Sequence, residues 1–238
     1  EAFLTHDSVR AAIMLYFAGD VLQAHRFLAH ESESLSPEDA AKLAQLAMEM
    51  TLPHAALNIA KNVASKGAVI NGAYYPLFDF GTTELPVPHE LALAIIRQES
   101  EFYPRAQSSV GARGLMQVMP ATASATARKY KIPYRSKTQL HNAGTNLAIG
   151  ASYYRGLLEQ FDYNRILATA AYNAGPSRVN QWLAKSQSKL PFDVWMTLIP
   201  YRETRSYVSN VLMYSVLYSR KLGLKTPLLT QHEKDRLL

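Results

Sequence analysis

The chain is punctuated as a succession of short helices, and that punctuation excludes most other folds. In "SPEDAAKLAQLAMEM" Ser36 stands at a cap, Pro37 at the first helical position and Asp39 where a capping-box acid belongs. "DSVRAAIMLYFAG" opens on Asp7 or Ser8 and stops at Gly19, "DVLQAHRFLAHES" follows at once, and "LPHAALNIAKNVASKG" ends on Gly67. Alanines at the contact positions let such helices pack closely in pairs. Helix pairs of this kind come in longer stacks, because one pair cannot cover its own apolar face. Glu1 therefore reads as an unnatural domain start, and residues 1–75 as the tail and linker of a helical superhelix whose upstream part is missing; a self-contained helical subdomain is the alternative. The opening "EAFLTHDSVRAA" lacks the basic region and cleavage site of a signal peptide, so the chain reads as a mature or excised fragment.

"AVINGAYYPLFDFGTTELPVP" is rich in Gly, Pro and aromatics, breaks the helical pattern, and reads as a linker. A second domain is expected over 76–238. Its helices are "PHELALAIIRQESEFYP", about four turns long; a segment starting at Pro120; "AGTNLAIGASYYRGLLEQF"; "NRILATAAYN", closed by "AGPS"; and a long one after Pro200. Between the first two, Gly111 and Gly114 demand an irregular turn. Strand signals are weak, so the fold class is mainly α. No apolar run approaches a membrane span.

Charge separates the two regions. Residues 1–80 carry five basic and nine acidic side chains, a net −4, whereas residues 81–238 carry 20 and 10, a net +10. The basic character belongs to the second region and implies an anionic partner there. Nucleic acid is disfavoured, because the basic residues are scattered and no basic-aromatic module appears. The absence of cysteine removes disulfides and thiolate metal sites. The seven histidines show no metal-ligand spacing, so neither metal nor cofactor is expected.

One residue conflicts with its surroundings. At roughly 100° per residue, Ala92, Ile95, Ile96, Phe102 and Tyr103 fall on the same side of their helix as Glu99. A carboxyl on that face is desolvated, which favours its neutral form and makes it a candidate general acid. Glu101 points the other way, beside Arg97, and reads as a solvated ion-pair residue. Gln117 after the glycine turn, Tyr172 and Asn173 at a helix end, and Glu203 in a first helical turn are polar groups with ordinary structural readings when taken singly.

Taken together, "IIRQESEFYPRAQSSVGARGLMQVMPATA", "AAYNAGPSRVNQWL" and "IPYRETRSYVSNVLMY" closely resemble, in order and spacing, the signature blocks of the soluble lytic murein transglycosylases. The resemblance covers about residues 85–228. It implies a goose-lysozyme-like catalytic domain that follows superhelical and linker domains, and a periplasmic location. It also implies an enzyme that cleaves the β-1,4 bond between N-acetylmuramic acid and N-acetylglucosamine in peptidoglycan, leaving a 1,6-anhydromuramoyl end. On that reading Glu99 is the single general acid and base, and Ser108 is its hydrogen-bond partner. Gln117, Met119, Tyr172, Asn173, Glu203 and, as a weaker candidate, Tyr207 would line the sugar groove, while Arg113 sits at a variable position. Glycan strands, with free carboxylates on their stem peptides, would be the anionic partner, attracted less as salt rises; other cell-wall enzymes are the protein partners it would meet. Two alternatives stay open. One is a hydrolase with Asp162, Asp193 or Glu203 as a second carboxylate; the other is a binding or scaffolding module without activity.

Overall fold

The computed structural model describes residues 2–79, 84–185 and 190–235, which form two compact units, Glu1–Phe78 and Asp79–Leu238. The expected boundary lay at 75/76.

The first unit contains a short 3-10 turn, Ala2–Thr5, then α1 (Asp7–Phe17), α2 (Val21–Glu31), α3 (Pro37–Glu49), α4 (Pro53–Ser65) and α5 (Asn71–Tyr74). α1 packs on α2 and α3 on α4. Ala12, Ala24, Ala40, Ala44, Ala47, Ala56 and Ala60 are fully buried, and side chains this small allow close approach of the helix axes. Ser36 caps α3 as expected, its hydroxyl accepting the Asp39 N–H at 3.1 Å. The start of α1 differs from expectation: Asp7 is already helical and His6 holds the cap position without a capping hydrogen bond. The His6 ring instead bonds Glu31, 2.7 Å away on α2, because a nearly buried carboxylate has more to gain from a partner than the helix end does.

The second unit comprises α6 (His89–Glu99), α7 (Pro120–Tyr130), a 3-10 turn at Lys137–His141, α8 (Ala143–Gln160), α9 (Arg165–Ala174), α10 (Pro176–Lys185), α11 (Phe192–Thr197), α12 (Arg202–Lys221) and α13 (Gln231–Asp235). The starts of α7 and α9 and the span of α12 match the sequence reading; α10, α11 and α13 were not anticipated. Among the described residues no strand forms, and the only β pairing is two isolated bridges, Gln107 with Arg113 and Arg113 with Val118.

α6 is the central element, packed on α12, which also packs on α9. Two expectations about it are corrected. It is three turns long, not four: Glu99 is its last residue, and Glu101 (φ 52) and Phe102 (φ 67) turn the chain through left-handed conformations. The reversal carries Phe102 into the core edge-on to Tyr218, with ring centroids 6.4 Å apart. Ser100 secures the break, its hydroxyl donating to the Leu115 carbonyl at 2.7 Å. Nor is α6 amphipathic in the simple sense, since Glu90 and Arg97 on its other side are buried too. Arg97 is compensated by Glu101 at 3.3 Å and by the face of Tyr214, 5.1 Å from the guanidinium; Glu90 accepts a 2.7 Å bond from Thr226. The Glu101 ion pair is thus half-buried and structural.

Candidate active site

The site is assembled around a turn that glycine makes possible. Gly114 has φ +77, and a Cβ there would run into the Leu140 carbonyl and the Asn146 side chain. Asn146, fully buried on α8, clamps this turn: its amide oxygen accepts the Met116 N–H at 2.8 Å, and its NH2 donates to the carbonyls of Arg113 at 2.7 Å and Leu140 at 2.9 Å. The sequence reading missed Asn146, although a lone Asn in the apolar run "NLAIGAS" was the available signal. Gly114→Ala should destabilise the protein by more than about 2 kcal/mol, combining left-handed strain with a backbone clash; a thermal unfolding midpoint within about a degree of the unmutated protein would contradict that.

The clamp delivers two groups to a cleft. Gln117, itself left-handed at φ 47, is held by bonds from its NH2 to the carbonyls of Gly114 (2.8 Å) and Ala106 (3.2 Å). The Met116 carbonyl accepts the Tyr172 hydroxyl at 2.8 Å, which ties the turn to the end of α9. Gln117, Met119, Tyr172 and Asn173 then line one cavity of about 210 Å³, together with Thr122, Tyr153 and Gly175. Met119 remains exposed at its rim. Thr204, a second residue the sequence reading missed, fixes Asn173 by donating to its amide oxygen at 2.7 Å. α12 starts at Arg202, so the same helix turn that holds Asn173 also carries Glu203 and Tyr207.

Glu99 lies beside this cavity, close enough that its charge acts on the Tyr172 and Tyr207 hydroxyls; burial and that charge hold both well above the usual phenol range. Both tyrosines therefore stay neutral donors. Tyr207, almost fully buried, donates to Glu99 Oε1 at 2.6 Å. Burial drives the Glu99 pKa upward, the Tyr207 hydrogen bond opposes this, and the Glu203 charge adds to it, so that it comes to about 7. Three turns of apolar helix bring the carboxyl out of water while its position at the helix end leaves it partly open to the surface.

The expected pairing of Ser108 with Glu99 is corrected. The Ser108 hydroxyl oxygen accepts the Ala112 N–H at 3.0 Å, inside the tight turn at Gly111, and the hydrogen bond to Glu99 comes from Tyr207. Sequence spacing could not separate a partner from a turn former. Of the acids considered as a second carboxylate, Asp162 lies 3.6 Å from the His232 ring and Asp193 lines a different, apolar cavity. Glu203 is the one whose charge acts on Glu99. Arg113 is bonded to His141 at 3.1 Å and to Val118 through the backbone, so it braces the turn.

The second unit, helical among the described residues, holds one desolvated carboxylic acid beside a tyrosine- and amide-lined cleft, an arrangement that can support general-acid chemistry. Comparison with known proteins gives the family. Residues 77–194 match the transglycosylase SLT domain, and residues 198–226, over α12, match the soluble lytic transglycosylase helical domain. The soluble lytic murein transglycosylase of Escherichia coli strain K12 is 44% identical over 165 residues, 69% of this chain and 26% of the relative. A structure of the 70-kDa soluble lytic transglycosylase in complex with bulgecin A matches with TM-score 0.91 at 34% identity, over 100% of this chain and 39% of that one. An inactive glutamate-to-glutamine mutant of the Pseudomonas aeruginosa lytic transglycosylase Slt matches with TM-score 0.85 at 37% identity, again over 100% of this chain and 39% of that one. The chain belongs to the soluble lytic transglycosylase family, and it spans about a quarter of the length of the curated relatives it matches. Among the described residues no helix is long and apolar enough to cross a membrane.

Proposed function

We propose that the second unit is a peptidoglycan lytic transglycosylase that acts in the periplasm, and that Glu99 is its acid and its base. The observation that carries this reading is the Glu99 carboxyl at the end of α6, bonded by the Tyr207 hydroxyl at 2.6 Å and desolvated so that its pKa rises to about 7. Glu99 gives its proton to the leaving oxygen as the bond from C1 of N-acetylmuramic acid breaks. The resulting carboxylate, stabilised by the Tyr207 hydroxyl, takes the proton of the muramoyl C6 hydroxyl as that oxygen closes onto C1. The proton returns to Glu99, no water is consumed, and the product carries a 1,6-anhydro end. Gln117, Met119, Tyr172 and Asn173 hold the sugar and its acetamido group, and Ser108 orders the turn beneath them. The first unit is the tail of a helical superhelix, a reading supported by structural matches that extend over the whole chain.

Mass spectrometry of the soluble products from purified sacculi tests the reaction, because anhydro ends are lighter than hydrolysed ends by one water. Anhydro products are expected, and reducing ends instead would transfer the assignment to a hydrolase using Glu203. The two neighbours of Glu99 give a finer test. Tyr207→Phe removes a bond that favours the ionised carboxyl, so the alkaline limb of the rate profile should move to higher pH. Glu203→Gln removes a repelling charge, so that limb should move to lower pH. Shifts in the same direction would contradict the assigned roles.

A further inference from the structure

The histidines of the first unit follow no metal-binding pattern along the chain, yet folding brings two of them together. His25 on α2 and His54 on α4 stack with ring centroids 4.6 Å apart and planes 28° from parallel. Asn58, one turn after His54 on α4, reaches both rings: its side-chain nitrogen lies 2.9 Å from His25 Nε2 and 3.3 Å from His54 Nε2. An amide NH2 carries two hydrogens and accepts nothing, so it donates to both. Each Nε2 is therefore unprotonated, and two lone pairs from two different helices converge on one point.

A metal ion asks the same of imidazole, a neutral ring whose lone pair is aimed at a shared centre. Burial, and then the charges of His54 and Arg26, push the His25 pKa down to about 4, so near neutral pH protons do not compete for that nitrogen. Turning the Asn58 amide over presents its oxygen to the same point as a third donor. All three side chains are half-buried, which keeps the point within reach of ions and of the waters that would complete a coordination shell. Among the described residues no group of three or more histidines and carboxylates gathers, so the donor set is two nitrogens and one neutral oxygen.

We infer that His25, His54 and Asn58 form an exchangeable site for a transition-metal dication, Zn²⁺, Ni²⁺ or Cu²⁺, which fastens α2 to α4. Imidazole nitrogen suits these ions, whereas Mg²⁺ and Ca²⁺ take oxygen ligands. None of the three ligands is charged, and the Arg26 charge that acts on His25 opposes a cation. Binding is accordingly reversible, unlike that of a closed structural site with four protein ligands. The site lies wholly within the first unit and does not depend on the reaction assigned to the second.

Isothermal titration of the full chain with zinc chloride, and with magnesium chloride for comparison, tests this. One equivalent of zinc should bind, and no magnesium. His25→Gln and His54→Gln should each weaken zinc binding about tenfold or more, while His30→Gln, at an exposed position of α2, should leave it unchanged. Asn58→Asp exchanges a neutral donor for a carboxylate and should tighten binding about tenfold, a gain that a misfolded variant cannot give. Zinc should also raise the thermal unfolding midpoint of the unmutated chain and leave that of His25→Gln where it stands without metal. Zinc binding that is absent from the unmutated chain, that survives both histidine substitutions, or that magnesium equals would overturn the inference and leave a hydrogen-bonded brace between the helices. No tightening by Asn58→Asp would overturn the ligand set.

Discussion

Glu99→Gln should lower the cleavage rate about 1,000-fold or more while making the protein more stable above pH 7. The loss follows from using one carboxyl for both proton transfers, each of which contributes about 100- to 10,000-fold in general acid–base catalysis. The gain follows from linkage. Glu99 ionises at about 7 in the folded chain against an ordinary 4.5, so the folded state binds the extra proton between those values and stability falls as pH rises through that window. Glutamine is neutral throughout and can still accept the Tyr207 hydrogen bond, so it escapes this loss. At about 1.36 kcal/mol per pKa unit, and allowing for partial opening to solvent, the variant should gain about 2 to 3 kcal/mol at pH 8 and nothing at pH 4. Chemical denaturation at both pH values, set beside product release from sacculi, checks both statements. An inactive variant with no stability gain at pH 8 would mean that the carboxyl is better solvated than its surroundings indicate.

Glu233→Ala should cost about 3 to 5 kcal/mol, the usual penalty for leaving a buried charge unpaired. Glu233 is fully buried and lies 2.7 Å from Arg165, whose side chain is also buried. The pair is bidentate, since Arg165 Nε donates to the other carboxylate oxygen at 2.8 Å, and the Arg165 and Thr230 backbone N–H groups complete the shell. Arg165 also reaches the carbonyls of Pro227 and Leu228, so one ion pair fastens the segment after α12 to the start of α9. The other end of α9 carries Tyr172 and Asn173, and the variant should loosen the cleft as well as unfold more readily. Burial pushes the Glu233 carboxyl up, but the bonds from Arg165 and Thr230 outweigh it and leave the pKa below its usual value. Its contribution is therefore present above the ordinary pKa and lost as the pH falls below it, the opposite of Glu99. Calorimetric unfolding at neutral pH gives the comparison, and a shift of a degree or two would show that the pair is replaceable.

Individual residues show how far the sequence could be read. Ser36, Pro37 and Gly67 marked helix ends correctly, because caps and left-handed turns act over a few neighbouring residues. Glu99 was legible as a desolvated acid from the apolar residues on its own helix. Tyr207 was legible only as a weak groove residue, since its bond to Glu99 spans 108 positions. Asn146 and Thr204 gave even less away: each holds a loop or side chain from another helix, and nothing in its own neighbourhood announces the partner. Ser108 shows the converse failure, a motif position given to the acid that the local turn instead holds for itself.

The sequence by itself determined a mainly helical chain, the break in charge and pattern between its two regions, and one acid placed against apolar residues, all of them properties read from composition or from residues within a few turns of one another. Only the tertiary structure decided which hydroxyl meets Glu99, where its helix stops, and how α7, α8 and α9 enclose a cleft. Those outcomes depend on close packing between segments far apart in the chain, where the fit of one side chain against another selects a partner that no local preference specifies.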